Sequence, residues 1–93
     1  MDSTIVHVVR TRAEIREWLV VNIAGVLAID PSAIDTSRQL FEYGLDSMQS
    51  ISLSGDLGKW LEMEIEPTAL WAYPTIDSLS GYLEGNLTGE HRE

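Results

Sequence analysis

From Ile15 to Leu83 the apolar residues mostly recur three and four positions apart, the period of a helix face. Ile15, Leu19, Ile23 and Val26 form the first stripe; Trp18 and Leu27 widen it, while Val20, Val21 and Asn22 blur it. Thr11 and Glu14 stand ahead of it at capping-box spacing, where the hydroxyl and the glutamate each accept a backbone N–H of the other. Asp30-Pro31 disfavours further helix and predicts an end near Ala28. Helix one therefore runs roughly 17 residues, about 26 Å at 1.5 Å per residue. In the second stripe Leu53, Leu57, Trp60 and Leu61 share one face, and Met48, Ile51 and Gly55 another. With Asp46 as N-cap, helix two spans Ser47 to about Leu61. Gly55 in its interior costs on the order of 1 kcal/mol relative to alanine. It either admits a close approach or is merely tolerated.

Pro67 suits the first turn of a short third helix anchored by Leu70 and Trp71, and Pro74 ends it within about two turns. Thr75 can cap the last helix, with Asp77 in its positive first turn. Ile76, Leu79, Tyr82 and Leu83 follow at helical spacing, and Gly85, Asn86 and Gly89 read as stop signals. Residues 29–46 form a long connection rich in turn formers: Asp30, Pro31, Ser32, Asp35, Thr36 and Ser37. Ile29, Ile34, Leu40 and Phe41 read as inward anchors that pin this loop over the core, because long loops in small domains are functional or disordered and these residues argue against disorder. Gly44 permits a positive φ before helix two. Trp18, Phe41, Trp60, Trp71 and Tyr82 are expected in core or semi-buried positions. No strand run of convincing length appears within 11–87. The fold class is all-α: a four-helix bundle of three main helices and a short third helix, with a long loop between helices one and two. Residues 11–87 form the domain, flanked by an N-terminal tail (1–10) and a C-terminal tail (88–93).

The chain has 93 residues and no cysteine, so disulfides and thiolate metal sites are excluded. No run approaches the roughly 18 apolar residues of a membrane span. The segment MDSTIVHVVR lacks a basic leader and is too short and mixed for a signal peptide. The expectation is a cytoplasmic protein without membrane attachment, or a piece of one. Fifteen acids against six bases give a formal charge of −9. Such a surface repels phosphate backbones, which speaks against nucleic acid, and favours basic partners. The charge also serves plain solubility. Between Glu42 and Glu66 the acids are Glu42, Asp46, Asp56, Glu62, Glu64 and Glu66, with Lys59 the single base.

Catalysis needs converging groups, and few are available. His7 and His91 both fall in the tails, which leaves Ser47 without an evident base. The glycine-serine pattern at 44–50 is not a strand-to-helix nucleophile elbow, and no Gly-rich phosphate loop with its lysine occurs. A twelve-residue calcium loop begun at Asp30 would place Ile34, Arg38 and Phe41 where oxygen ligands are required. Glu62 and Glu66 stand one turn apart on a charged surface and read as solvated. The chain is expected to be non-catalytic, with no metal site.

Asp46 and Ser47 alone have a simple explanation, since both types favour helix N-termini. The segment LFEYGLDSM, Leu40 to Met48, carries more: it resembles the attachment signature of acyl carrier proteins. SLSGDLGKWL at 52–61 and PTALWAYPTI at 67–76 extend the likeness over roughly 11–87. The pattern is most similar to carrier domains of modular polyketide synthases loaded from fatty-acyl-adenylate ligases. Met48 departs from the commoner leucine, but a flexible apolar methionine makes a similar contact. The resemblance implies a 4′-phosphopantetheine arm from coenzyme A on Ser47, with Asp46 flanking it. It implies partners of three kinds: a phosphopantetheinyl transferase using a divalent metal, an acyl-adenylate ligase or acyltransferase, and a ketosynthase or other synthase domain. Met48 and Ile51 are candidate apolar anchors for these partners, and Glu42, Asp46 and Asp56 an acidic rim. Core packing is the competing expectation for Ile51. The isolated domain is expected to be monomeric. Two rivals remain: a peptidyl carrier with the same arm, and an unmodified helical interaction module.

Overall fold

Thr11 and Glu14 close the reciprocal box that opens the first helix. Glu14 N–H donates to Thr11 Oγ1 at 3.1 Å, and Thr11 N–H to Glu14 Oε1 at 2.9 Å. The structure is a computed structural model that describes residues 10–87. Apart from Arg10, the expected tails lie outside the described residues. The elements are α1 (Arg12–Leu27), 3₁₀ turns at Pro31–Ala33 and Leu40–Tyr43, α2 (Ser47–Leu61), α3 (Ala69–Ala72) and α4 (Ile76–Leu87). The helical reading therefore holds, and no strand occurs among the described residues beyond an isolated bridge between Gln39 and Thr75.

α1 buries Ile15, Leu19 and Ile23, as its periodicity predicts. Val26 departs from the expectation and is exposed, while Ala24 is buried. The helix closes just beyond: Ala28 turns left-handed at φ 58°, and Ile29 N–H bonds back to Ala24 O at 3.0 Å.

The long loop is pinned by bonds as much as by apolar anchors. Leu40 N–H reaches Pro74 O at 2.8 Å, and Asp77 N–H reaches Thr36 O at 3.0 Å. Tyr43 Oη receives Asp35 N–H at 2.6 Å and donates to Asp35 O at 2.8 Å. Asp30 accepts the amide and hydroxyl of Ser32, the amide bond first in weight, and these hold its carboxyl below the usual range. Asp35 is held low in the same way, chiefly by the Ser37 hydroxyl and then its amide. Of the expected anchors, Leu40 is buried and Ile34 half-buried, but Ile29 and Phe41 are exposed. Neighbours in a 3₁₀ turn point about 120° apart, so Leu40 and Phe41 cannot both face inward.

Leu53, Leu57 and Leu61 of α2 meet Leu70 of α3 and Ile76, Leu79 and Leu83 of α4 in one core, closed by Leu40 and Leu45 from the loop. A Cβ on Gly55 would meet nothing within 4 Å, which decides for tolerance. Gly58 is the position that needs glycine, because a Cβ there would stand 2.7 Å from Met63 O. Pro67 precedes α3 rather than opening it, and its carbonyl accepts Leu70 N–H at 3.1 Å. Thr75 and Ser78 cap α4 reciprocally at 3.0 and 3.1 Å. α4 does not stop at Gly85 but runs on to Leu87. Tertiary contact overrides the glycine there: Leu83 is buried, and Glu84 accepts Arg12 N–H from α1 at 3.0 Å.

Candidate functional site at the start of helix α2

Three residues set the geometry of the α2 N-terminus. Gly44 ends the second 3₁₀ turn at φ 86°, a left-handed conformation that favours glycine. Leu45 is buried and fixes the chain to the core. Asp46 then takes extended backbone and caps the helix: its carboxylate accepts Gln49 N–H at 2.8 Å, and Gln49 Oε1 accepts Asp46 N–H at 3.1 Å. Sequence reasoning identified Asp46 as the cap and missed Gln49, although the D-x-x-Q spacing was the available signal.

Ser47 follows as the first helical residue. It is exposed, and its hydroxyl has no hydrogen-bond partner among the described residues. The capping box consumes the amides of Asp46 and Gln49, and Ser50 N–H makes the first backbone bond, to Asp46 O at 2.9 Å. The amides of Ser47 and Met48 remain without an intrahelical acceptor. An anion bonded to Ser47 would meet these donors and the positive end of the helix dipole. The site therefore fits a phosphodiester and supplies an exposed hydroxyl. Among the described residues no group of three or more acids or histidines could hold a metal; His7 and His91 lie outside them.

The other candidate residues are all exposed. Met48 is 76% exposed and Ile51 51% exposed, so core packing is the wrong reading of Ile51. Asp56 is exposed further along α2. Glu42 is exposed and pairs with Arg38 at 3.5 Å, an i,i+4 contact on the loop. Phe41 and Trp71 are exposed and stack on one another with centroids 6.4 Å apart. Trp18 and Trp60 are half-buried and stack at 5.4 Å, with the Arg10 guanidinium 4.6 Å from the Trp60 ring.

A family model described as the phosphopantetheine attachment site matches residues 17–83. The chain belongs to this family. It is an acyl carrier domain, and its prosthetic group is a covalently attached 4′-phosphopantetheine. The chain is 33% identical over 73 residues to acyl carrier protein TtuC of Teredinibacter turnerae, covering 78% of this chain and 84% of that protein. It is 31% identical over 71 residues to a phenolphthiocerol/phthiocerol polyketide synthase of Mycobacterium tuberculosis. That match covers 76% of this chain but only 4% of the synthase. Among solved structures, a free-standing peptidyl carrier protein from Acinetobacter baumannii superposes with a TM-score of 0.80 at 38% identity, covering 83% and 96% of the two chains. Carrier domains of synthases work with partner domains, and no helix of the described residues is long and apolar enough to cross a membrane.

Proposed function

We propose that Ser47 is the residue that carries the arm, and that this chain is non-catalytic and serves polyketide or fatty-acyl assembly in the cytoplasm. The observation that carries the reading is an exposed, unbonded serine hydroxyl at a capped helix start, inside the span of the family match. In the priming step Ser47 Oγ bonds to the pantetheine-linked phosphorus of coenzyme A. The pyrophosphate P–O bond breaks, the adenosine bisphosphate leaves, and the hydroxyl proton passes to a base of the transferase. Asp46 and Gln49 hold the helix start in place, and the amides of Ser47 and Met48 receive the phosphodiester charge. The terminal thiol of the bound arm supplies the thioester linkage for acyl cargo. Tethered cargo meets successive enzymes at high effective concentration, and each partner brings its own catalytic groups.

We assign the partners as a phosphopantetheinyl transferase, an acyl-adenylate ligase or acyltransferase, and a ketosynthase or other synthase domain. The acids at Glu42, Asp46 and Asp56 support basic docking faces, with Met48 and Ile51 as apolar anchors. The likeness to a peptidyl carrier keeps one second reading, in which the cargo is an aminoacyl group. Loading separates the two. Arm-bearing protein is incubated with fatty acid, ATP and a fatty-acyl-adenylate ligase, or with amino acids, ATP and an adenylation domain, and intact mass is read. Fatty-acyl thioester in the first reaction alone is the expected result. Aminoacyl thioester alone would replace it with the peptidyl reading.

A further inference from the structure

Twice in this chain an arginine lies against a ring that has acids beside it. The Arg10 guanidinium stands 4.6 Å from the Trp60 ring, and Trp60 shares a hollow with Glu14 and Glu17. The Arg38 guanidinium stands 5.7 Å from the Tyr43 ring and pairs with Glu42 at 3.5 Å. A ring face attracts a cation through its quadrupole, and a carboxylate close by adds a charge of the same sense.

A third surface has the same rings and acids, and no base among the described residues lines it. It is a hollow of about 420 Å³ between the segment after α2, α3 and α4. Tyr73 and Tyr82 line it, stacked with centroids 4.1 Å apart and rings 15° from parallel. Glu64 and Glu66 line it too, both exposed, and neither pairs with a base among the described residues. Ile65 and Ala69, both half-buried, add apolar surface. The volume is at the small end of ligand pockets and admits one or two side chains. Residues 60–87 contain five acids (Glu62, Glu64, Glu66, Asp77, Glu84) and no Lys, Arg or His. The bases on adjoining helices stand elsewhere. Arg12 donates to Asp77 O at 3.0 Å and lies 3.5 Å from where a Cβ on Gly81 would stand, and Arg16 pairs with Asp77. At about 100° per residue, Asp77, Gly81 and Glu84 share one side of α4, and Tyr82 and Asn86 lie roughly opposite. Lys59 lines a separate hollow, between α2 and the Met63–Ile65 segment. A second copy of this chain is a poor occupant: it brings a like charge of −9, and its Arg10, Arg12, Arg16 and Arg38 are held in the contacts above.

We propose that the Tyr73–Tyr82 hollow is a binding site for an arginine of a partner protein, presented beside an apolar residue. The planar guanidinium suits both the tyrosine pair and the Glu64 and Glu66 carboxylates, and the apolar neighbour covers Ile65 and Ala69. The site is built on the segment after α2, on α3 and on α4, whereas Ser47 opens α2, whose 15 residues put its other end about 21 Å away. It stands whether or not Ser47 carries the arm. The test titrates the peptide acetyl-Leu-Arg-Leu-amide into isotope-labelled protein, wild type and Ser47→Ala, and follows the backbone amide NMR shifts. Saturable shifts at Ala69, Tyr82 and Asn86 are expected in both proteins, with a Kd of about 1 mM. Citrulline in place of the arginine keeps the shape and removes the charge, and is expected to weaken binding about tenfold. Glu64→Gln combined with Glu66→Gln, and separately Tyr82→Leu, are each expected to weaken it about fivefold, with circular dichroism and thermal melting as fold controls. No saturable shift at those residues in the folded wild type overturns the proposal. Equal binding of the citrulline peptide also overturns it, since the hollow would then select only apolar surface. Peptide shifts confined to Ser47–Ile51 would move the binding to the start of α2 and overturn it. Shifts at Ala69, Tyr82 and Asn86 on acylation without peptide would give the hollow to the cargo, and overturn it as well. Failure of the wild type to gain mass with coenzyme A removes the carrier reading alone, because Ser47→Ala is expected to bind the peptide as the wild type does.

Discussion

Glycine to alanine should have opposite effects at two sites of α2, one turn apart. At Gly55 the added methyl meets nothing within 4 Å, so the helix gains intrinsic propensity, about 1 kcal/mol. At Gly58 the same methyl would stand 2.7 Å from Met63 O, a backbone atom that cannot rotate away. Relief requires the Met63 segment to retreat, which loosens its bond from Met63 N–H to Gly58 O at 3.0 Å. Overpacking costs about 1–3 kcal/mol and a lost hydrogen bond about 1 kcal/mol, against a propensity gain of about 1 kcal/mol. Gly58→Ala is thus expected to destabilise by about 2 kcal/mol net. For a domain of this size each kcal/mol moves Tm by about 4–8 °C. Urea unfolding and thermal melting of Gly55→Ala, Gly58→Ala and wild type read both signs directly. A Gly58→Ala protein as stable as wild type, or a destabilised Gly55→Ala, would refute the reasoning.

Asp46→Ala removes the carboxylate half of the capping box, and chemical denaturation should show a loss of about 1 kcal/mol; no loss would mean that the box adds nothing in solution. Leu57→Ala empties a fully buried core position and should cost about 2–5 kcal/mol, enough to broaden or abolish the thermal transition of a small domain. Asp30 and Asp35 both have folded-state pKa values lowered by their serine bonds. Their contribution is present above the ordinary value of 3.8 and is lost as pH falls through the lower folded values. Carboxyl NMR titration should place both midpoints below 3.8, and midpoints at or above it would contradict the hydrogen bonds described.

The helices were legible because their signals are local. Thr11 with Glu14, Asp46 ahead of α2, and the Leu53–Leu57–Leu61 series each act within one or two turns. What escaped depends on the partner across the space. Val26 lies on the stripe of α1 yet is exposed, while Ala24 beside it is buried, a choice the packing makes and the periodicity does not. Phe41 looks like a core residue beside Leu40 until the 3₁₀ turn sends the two in different directions. Gly85 carries a stop signal that the contact of Glu84 with α1 overrides. Gly55 and Gly58 are equivalent in sequence, and only the path of Met63 distinguishes them. At the candidate site, the Asp46 cap was readable from spacing and Ser47 from the resemblance of LFEYGLDSM; Gln49 carried its signal in the D-x-x-Q spacing, and the exposure of Phe41 and Trp71 needed the fold.

The account rests on Ser47, and intact mass tests it most directly. Wild type and Ser47→Ala are incubated with coenzyme A, magnesium and a broad-specificity phosphopantetheinyl transferase, beside a carrier protein known to be modified. Addition of one phosphopantetheine group to the wild type and none to Ser47→Ala is the predicted result. No addition to a folded wild type, with the control carrier modified, would contradict it; Ser47 would then be a helix-start residue and the domain an unmodified interaction module.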